Sequence, residues 1–380
     1  DKLNSVIKDD LRKIKKEYGI PRRTEIREEI EEIKVDTTRM IPKEQVVVVV
    51  TSEGYIKKVP QRSYSTAKEE DTMLKENDYV IGLYNITTTD TLLLFTNLGN
   101  YLYLPVYDIP EVKWKELGKH ISNIIGLSPE EKIIGSIPVY NFEEERYITS
   151  FTKNGMIKRT LISEFKVQRY SKAIKMMNLK GDDEVISVTD SSLSNVFIAT
   201  SNGYGLWYDI SEVPVVGIKA AGVKSISLKD DYVVSGILFD IANEYLTILT
   251  DKGTAKRMRL TELEKTSRAK RGILLMKVIK SNPSKIIKAY IENSKNTIGI
   301  ISDNYTKIIK LTEISIMDRY SNGSYIIKDR IVDSYEECQM ISKDDKEQII
   351  EEINVEKKQI SLSEIDDKLL NIDSIINDIK

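Results

Sequence analysis

The chain is short of the residues from which catalytic and metal centres are built. Among its 380 residues there is one cysteine, Cys338, and one histidine, His120. A lone thiol excludes a disulfide framework and any multi-cysteine zinc site. A lone imidazole excludes multi-histidine metal sites and leaves nothing to pair with a Ser or Cys nucleophile beyond His120 itself. Long apolar runs are missing too: the longest, Val46–Val50, is far below the ~20 residues that span a bilayer as a helix. The first residues, Asp1-Lys-Leu-Asn, carry neither signal nor transit character. The start on Asp1 rather than Met reads as a piece of a longer protein, and the expectation is a soluble cytoplasmic one with no membrane partner.

Charge is abundant and unevenly placed. Lys+Arg total 57 against 59 Asp+Glu, which nearly cancel. Residues 331–380 hold 14 acidic and 6 basic residues, a net of −8, leaving 51 basic and 45 acidic before them, a net of +6. A mildly basic body points to a polyanionic partner, and an acidic tail to a competitor for the same surface. Hydrophobic residues make up 41%, enough for a real core, so global disorder is excluded.

Residues 2–17 place Leu3, Val6, Ile7, Leu11 and Ile14 on one helical stripe, stopped by Gly19 and Pro21. Residues 22–40 are charge-rich and read as a connector. From residue 45 the period switches to strands, and one unit recurs: an apolar β-branched run, Thr or Ser, two polar residues, Gly, then another strand. Its turns are Thr51-Ser-Glu-Gly54, Thr96-Asn-Leu-Gly99, Thr152-Lys-Asn-Gly155, Thr200-Ser-Asn-Gly203 and Thr250-Asp-Lys-Gly253, with a degenerate sixth, Ser302-Asp-Asn-Tyr305. A tight hairpin turn that needs a positive φ selects Gly, with a polar residue before it. Copies about 50 residues apart, each with room for four short strands, predict an all-β ring of six radial blades. The expected divisions are 1–40 (arm and connector), 41–330 (ring) and 331–380 (acidic tail), with helices over 348–353 and 361–379.

The cations follow the repeat. Three and four residues after the turn glycine stand Lys57-Lys58, Leu102-Tyr103, Lys158-Arg159, Leu206-Trp207 and Lys256-Arg257: basic in units one, three and five, apolar in two and four. Arg62 follows the first unit. The segments beyond the later hairpins add Lys166, Arg169, Lys172 and Lys175; then Lys219 and Lys224 beside Gly217, Ala220, Ala221 and Gly222; then Arg259, Arg268, Lys270, Arg271 and Gly272. Small residues among cations let backbone N–H groups approach a phosphate that Lys and Arg neutralise. Around a rim they would follow a curved duplex with little base reading. For any one residue, solubilising edge protection is an equal explanation; the cluster Arg268-Ala-Lys270-Arg271-Gly272 favours phosphate. Elsewhere, His120 reads as a surface or capping residue, Cys338 as an ordinary thiol, Trp114 and Trp207 as packing between blades, and Asp182-Asp183 and Asp230-Asp231 as turn residues. No nucleophile with a base, nucleotide loop or metal set is found, so the chain itself reads as non-catalytic and without cofactor.

Several segments carry a specific resemblance. Lys15-Lys16-Glu-Tyr-Gly19-Ile-Pro-Arg22-Arg23-Thr24-Glu25-Ile26 is similar to the end of the coiled-coil arm of bacterial type IIA topoisomerase A subunits. Val47-Val-Val-Val-Thr51-Ser-Glu-Gly54-Tyr55-Ile-Lys57 resembles the first blade of their C-terminal domain. Leu94-Phe-Thr-Asn-Leu-Gly99-Asn-Tyr-Leu-Tyr-Leu-Pro105, Trp114-Lys-Glu-Leu-Gly118-Lys-His120, residues 212–224 and Thr266–Gly272 look most like the topoisomerase IV branch of Gram-positive bacteria. Gyrase A subunits carry a Gln-Arg-Arg-Gly-Gly-Lys-Gly-type box after blade one; here the stretch is Tyr64-Ser-Thr-Ala-Lys-Glu-Glu-Asp-Thr-Met-Leu-Lys-Glu, which favours topoisomerase IV over gyrase. The resemblance implies a β-pinwheel that binds double-stranded DNA and presents a transfer segment. It implies a nucleoid-associated enzyme for decatenation and relaxation, an A2B2 heterotetramer with the topoisomerase IV B subunit, ATP and Mg for the whole enzyme, and a catalytic tyrosine outside this chain. The alternatives are a gyrase-type wrapping domain, a protein-binding scaffold centred on Tyr103 and Trp207, and, third, an enzymatic propeller.

Overall fold

The computed structural model describes residues 2–21, 41–66 and 72–342, in two compact units, Asp1–Met40 and Ile41–Lys380. The first contains the helix Lys2–Tyr18. Its stripe of Leu3, Val6, Ile7, Leu11 and Ile14 is exposed throughout, and Gly19 N–H closes the last turn on Lys15 O at 2.9 Å. The expected connector over 22–40 lies outside the described residues.

The second unit is six sheets in sequence order, antiparallel but for one parallel edge strand in the first. Their hairpins are Gln45–Thr51 with Tyr55–Pro60, Thr91–Thr96 with Asn100–Pro105, and Tyr147–Thr152 with Met156–Leu161. Then come Asn195–Thr200 with Tyr204–Asp209, Tyr245–Thr250 with Thr254–Arg259, and Thr297–Ser302 with Thr306–Lys310. Turn glycines 54, 99, 155, 203 and 253 all have positive φ, the conformation that L side chains avoid. The recurring threonine is explained by a bond. Thr51, Thr96, Thr152 and Thr200 Oγ1 accept from the backbone N–H just past the glycine at 3.0–3.3 Å. Asp183 and Asp231, two of the paired acids, accept turn N–H groups of Asn154 (2.8 Å) and Asn202 (2.9 Å).

A third, inner strand completes the core of each blade: Val80–Thr87, Ile133–Val139, Val185–Thr189, Val233–Phe239, Ile286–Tyr290 and Ile331–Glu336. The apolar runs do not alternate because both faces of a blade are buried. Leu92 and Leu94 pack toward blade one, while Leu93 and Phe95 pack toward blade three. Trp207 packs with Leu246 of the next blade, and Trp114 with Val47, Val49 and Val59.

The fourth, outer strand is not the blade's own. After its hairpin, each chain segment crosses back to the preceding blade before returning. Lys119–His120 pairs with blade one, Ile174–Lys175 with blade two, Val223–Lys224 with three, Ile273–Leu274 with four and Ser324–Tyr325 with five. These straps make the ring a β-pinwheel. Glycines 118, 222, 272 and 323 sit where a strap lands; a Cβ there would lie 2.2–2.6 Å from a carbonyl oxygen of the receiving strand.

Blade six differs. Among the described residues its sheet has three strands, with no strap from blade one. The seam is closed by Tyr79 stacked on Tyr335 (centroids 3.9 Å apart, 5° between planes) and by Ile341–Ser342 lying parallel to Tyr84–Asn85. The division expected at residue 330 is thereby corrected. Ile331–Glu336 is the inner strand of blade six, with Ile331 and Ser334 buried, and the ring runs to Ser342. Asp333, Glu336 and Glu337 on and beside that strand made it resemble the acidic tail. The helices expected over 348–353 and 361–379 lie outside the described residues.

Candidate nucleic-acid interface

The lysines in the basic pairs of units one, three and five are not surface groups. Lys57, Lys158 and Lys256 are 2%, 1% and 2% exposed, and each ammonium ties down a strap from the next blade. Lys57 Nζ donates to Trp114 O (2.5 Å), Glu116 O (2.7 Å) and Thr72 Oγ1 (2.8 Å). Lys158 Nζ donates to Met176 O and Ile218 O, both at 2.5 Å. Lys256 Nζ donates to Asp318 O (2.9 Å), Arg319 O (2.7 Å) and Ser321 O (2.7 Å). Burial pushes all three down to about 8, so they remain ammonium donors at neutral pH. Lys58 is also buried, donating to Tyr107 O at 2.7 Å; burial lowers it, opposed by Glu111, Asp108 and Glu44. The expectation that these four lysines line the binding surface is therefore corrected. Lys57, Lys158 and Lys256 point into the gap that a strap crosses, and in blades two and four Leu102 and Leu206 fill the same place.

The arginines of these pairs are half committed. Arg159 stacks on Tyr147 at 4.6 Å and points toward Ile210 O and Val213 O at 3.5 Å. Arg257 Nε donates to Ile314 O at 2.8 Å. Arg259 is exposed.

The remaining cations sit on the straps. Arg169, Lys172, Lys175, Lys219, Lys224, Lys270 and Arg271 are exposed, and Arg268 is half-buried. The pairing register relates them. Lys175 stands opposite Asn100 and Lys224 opposite Met156, in each case the residue after the turn glycine. Counting back six residues from this landing point reaches Arg169 on one strap and Arg268 on another; counting back three reaches Lys172 and Arg271. The landing points of blades two and three thus carry Lys175 and Lys224. The points six and three residues before landing carry cations on the straps of blades two and four, whereas Ile218 and Ala221 hold those points on the strap of blade three.

Neighbouring straps touch directly. Arg268 Nη1 donates to Lys224 O, and its Nε to Glu212 O at 3.1 Å. Ala269 N–H reaches Ser225 O, and Ser227 N–H reaches Lys270 O, both at 2.8 Å. Arg271 covers the Tyr204 ring at 4.4 Å. Glu164, Glu212 and Glu262 lie among these cations but accept from strap N–H groups of Ile218 (3.0 Å), Arg268 (2.8 Å) and Arg319 (2.7 Å). They position the straps. Lys166 is ion-paired with Glu143 at 3.1 Å.

Arg62, exposed on the short helix Gln61–Ser65, belongs to blade one's own segment and not to a strap. Two residues escaped the turn-based count. Arg319 occupies the same strap position as Arg268, with Nη1 on Leu274 O at 2.8 Å. Lys119 shares a cleft with Arg169. Counting from the strap landing point instead of the turn would have found Arg319. His120 caps the 3-10 turn Ile121–Asn123 through Nδ1, and burial pushes the Cys338 thiol up to about 11. Tyr103 lies against Phe142 and Tyr170, and Trp207 is 9% exposed with Nε1 on Asn195. Of the two residues on which a scaffold reading rested, Trp207 is packed between blades and Tyr103 is half-buried.

Known proteins share this arrangement. The family described as DNA gyrase C-terminal domain, beta-propeller, matches residues 45–87, 90–139, 146–190, 194–239 and 244–291, the first five blade repeats. The chain is 42% identical over 327 residues to the A subunit of DNA topoisomerase 4 from Bacillus subtilis (strain 168), covering 85% of this chain and 40% of that protein. It thus spans less than half the length of that relative. Its structure is similar to the C-terminal domain of DNA topoisomerase IV, with a TM-score of 0.75, 41% identity, and coverage of 78% of this chain and 94% of that one. The DNA gyrase A C-terminal domain, 20% identical with a TM-score of 0.56 over 78% of this chain and all of that one, shares the fold. Five matched blades, strap exchange and a match over most of the ring lead to one assignment: the chain belongs to the gyrase A C-terminal domain family of type IIA topoisomerases.

Proposed function

We propose that the ring binds duplex DNA on its outer rim, largely without regard to sequence, as part of a topoisomerase IV A subunit. One observation carries this reading: strap cations recur in register. Lys175 and Lys224 stand at the landing points of blades two and three, and Arg268 and Arg319 six residues before those of blades four and five. The straps that carry Lys224 and Lys270 are hydrogen-bonded to each other. Charges spaced by the blade repeat around a curved perimeter suit a bent phosphate backbone, and among the described residues no strap contains an α-helix to enter a groove and read bases. Bending would present a transfer segment to the rest of the enzyme. Decatenation and relaxation, the A2B2 assembly with the B subunit, the use of ATP and Mg and the nucleoid location belong to the complete enzyme, which extends beyond this chain. The topoisomerase 4 relative at 42% identity supports that branch over gyrase.

The test is a titration with duplex DNA at several salt concentrations. About six phosphate contacts give a slope of log affinity against log salt near −5. The variant Lys224→Ala/Lys270→Ala/Arg271→Ala is expected to make that slope shallower by about 2–3 for every sequence tried. Salt-independent binding, or an unchanged slope in the triple variant, would remove the rim from the path. With full-length A and B subunits together, unlinking of catenanes without negative supercoiling is expected; supercoiling would reverse the choice of branch.

A further inference from the structure

Five blades receive a strap from the next blade; among the described residues, nothing pairs with the outer edge of Thr306–Lys310 in blade six. The groups that hold a strap elsewhere are nevertheless present. Lys307, opposite Ile300, stands on the second rung from the turn, the place of Lys57, Lys158 and Lys256. In blade three that lysine holds two straps, the outgoing one at Met176 O and the incoming one at Ile218 O. Lys307 holds only its own outgoing strap, at Ile326 O (2.9 Å), and is exposed. Glu313 occupies the place of Glu164, Glu212 and Glu262. With no incoming N–H, it turns back to Lys310 N–H at 3.0 Å. Ile308, on the third rung, is 47% exposed, whereas Lys58 and Trp207 on that rung are 8% and 9% exposed beneath straps. An edge strand, an ammonium and a carboxylate thus form an empty copy of the strap site whose ammonium recurs in blades one, three and five and whose carboxylate recurs in blades three, four and five, and an apolar side chain beside it is uncovered.

The occupied copies specify the ligand. The strap landing on blade three reads Lys224-Ser-Ile-Ser-Leu228. Lys224 pairs opposite Met156, Ser225 N–H bonds Gly155 O at 2.7 Å, and Ile226 is buried over the turn. The chain repeats this pattern as Lys358-Gln-Ile-Ser-Leu362. That stretch belongs to residues 343–380, which lie outside the described residues and carry 11 acidic against 6 basic residues. The vacant edge is flanked by the exposed Lys307 and Lys310, opposite in sign to the net charge of residues 343–380 as a whole, while Lys358 takes the place that Lys224 holds on blade three. Ser342 lies beside blade one's inner strand next to the seam, and the intervening 15 residues can reach about 50 Å. We propose that the outer edge of blade six is a docking site for an extended peptide, and that its occupant is the chain's own Lys358–Leu362. The landing glycine of other straps is not a requirement, because Ala173 serves on the strap that reaches blade two. The inference does not depend on DNA binding.

The test uses the full chain with Cys338→Ser and a cysteine pair at the equivalent of Met156 and Lys224, namely Tyr305→Cys with Lys358→Cys. Directly opposed strand residues lie within disulfide reach. Under mild oxidation an intrachain disulfide is expected to form at least ten times faster than in Tyr305→Cys with Lys346→Cys. Adding Ile360→Asp should abolish that advantage. Amide exchange over Thr306–Lys310 should also be slower in the full chain than in a chain ending at Ser342. Equal rates for the two pairs, indifference to Ile360→Asp, equal amide exchange, or a disulfide joining two chains would each overturn the proposal.

Discussion

Replacing Lys158 with Met separates a buried structural cation from a DNA-contacting one. The ammonium serves Met176 O on the outgoing strap and Ile218 O on the incoming one, both at 2.5 Å, from a side chain 1% exposed. Met retains the stem volume but leaves two buried carbonyls without donors, at about 1–3 kcal/mol each. Part of that is offset, because an ammonium no longer has to be desolvated; the depression to about 8 reports that cost. Leu206 in the matching place of blade four shows that the site tolerates an apolar side chain when its straps are adapted to it. The expected net loss is about 2–4 kcal/mol, visible as a lower urea midpoint with unchanged m-value. The slope of log affinity for DNA against log salt should not change, because no phosphate-facing charge is removed. A variant with unchanged stability but a slope shallower by about 1 would show that Lys158 reaches phosphate, and the assignment of all three lysines would fail with it.

Other perturbations test separate parts of the structure. Gly222→Ala puts a Cβ 2.4 Å from Ile157 O at φ +81° and should loosen the strap on blade three; Ala173→Gly on the equivalent strap should change stability by under about 1 kcal/mol, as read by urea unfolding. Stability should depend on pH with opposite signs in two ranges. Glu292, pushed up to about 8 by burial and Glu336, stabilises the fold below about 4.3, its unfolded value, and that contribution is lost as pH rises toward 8; Glu292→Gln should flatten this limb. Lys57, Lys158 and Lys256, depressed to about 8, bind fewer protons folded than unfolded between there and about 10.4, so their contribution rises across that range and Lys158→Met should shrink it. Truncation after Arg330 should unfold blade six by removing the strand Ile331–Glu336, whereas truncation after Ser342 should leave the ring intact by circular dichroism.

The fold was legible because its period is written in backbone chemistry. A glycine that must adopt positive φ and a threonine that caps the turn recur whatever the strands contain, so five turns could be located to the residue. The straps were not legible as strands. Each pairs through only two residues, such as Val223–Lys224, too few for a period-2 pattern to emerge. The misreading of Lys57, Lys158 and Lys256 has the same origin. Without the straps, an outgoing hairpin strand offers its third residue to solvent, and a lysine there reads as surface charge. With the straps, that residue is the innermost donor of an interblade joint. The alternation of Lys with Leu at this position was visible and pointed away from a rim contact, since a rim has no reason to alternate charge with leucine blade by blade.

Strap exchange also determines which residues set the spacing of rim charges. Lys219, Lys224, Arg268 and Lys270 belong by sequence to blades four and five, yet each is held at the blade before. The contacts that fix the incoming strap at blade three include Lys158 Nζ on Ile218 O, Glu164 on Ile218 N–H, and the pairing of Val223–Lys224 with Ile157 and Met156. At blade four the lysine is absent, and Glu212 with the Arg268 guanidinium on Glu212 O and Lys224 O replaces it. The second joint thus grips the strap that the first joint positioned, and a shift at one blade is passed to the next along the rim. Blade curvature and cation spacing are therefore one structural variable, so removing a strap contact, as Glu212→Ala does to the acceptor of the Arg268 N–H, should alter the bend imposed on DNA more than the salt slope of binding. Fluorescence energy transfer between the ends of a short duplex, compared with the slope from the same titrations, distinguishes the two. A change in slope with no change in end-to-end distance would mean that the straps carry charge without setting its geometry.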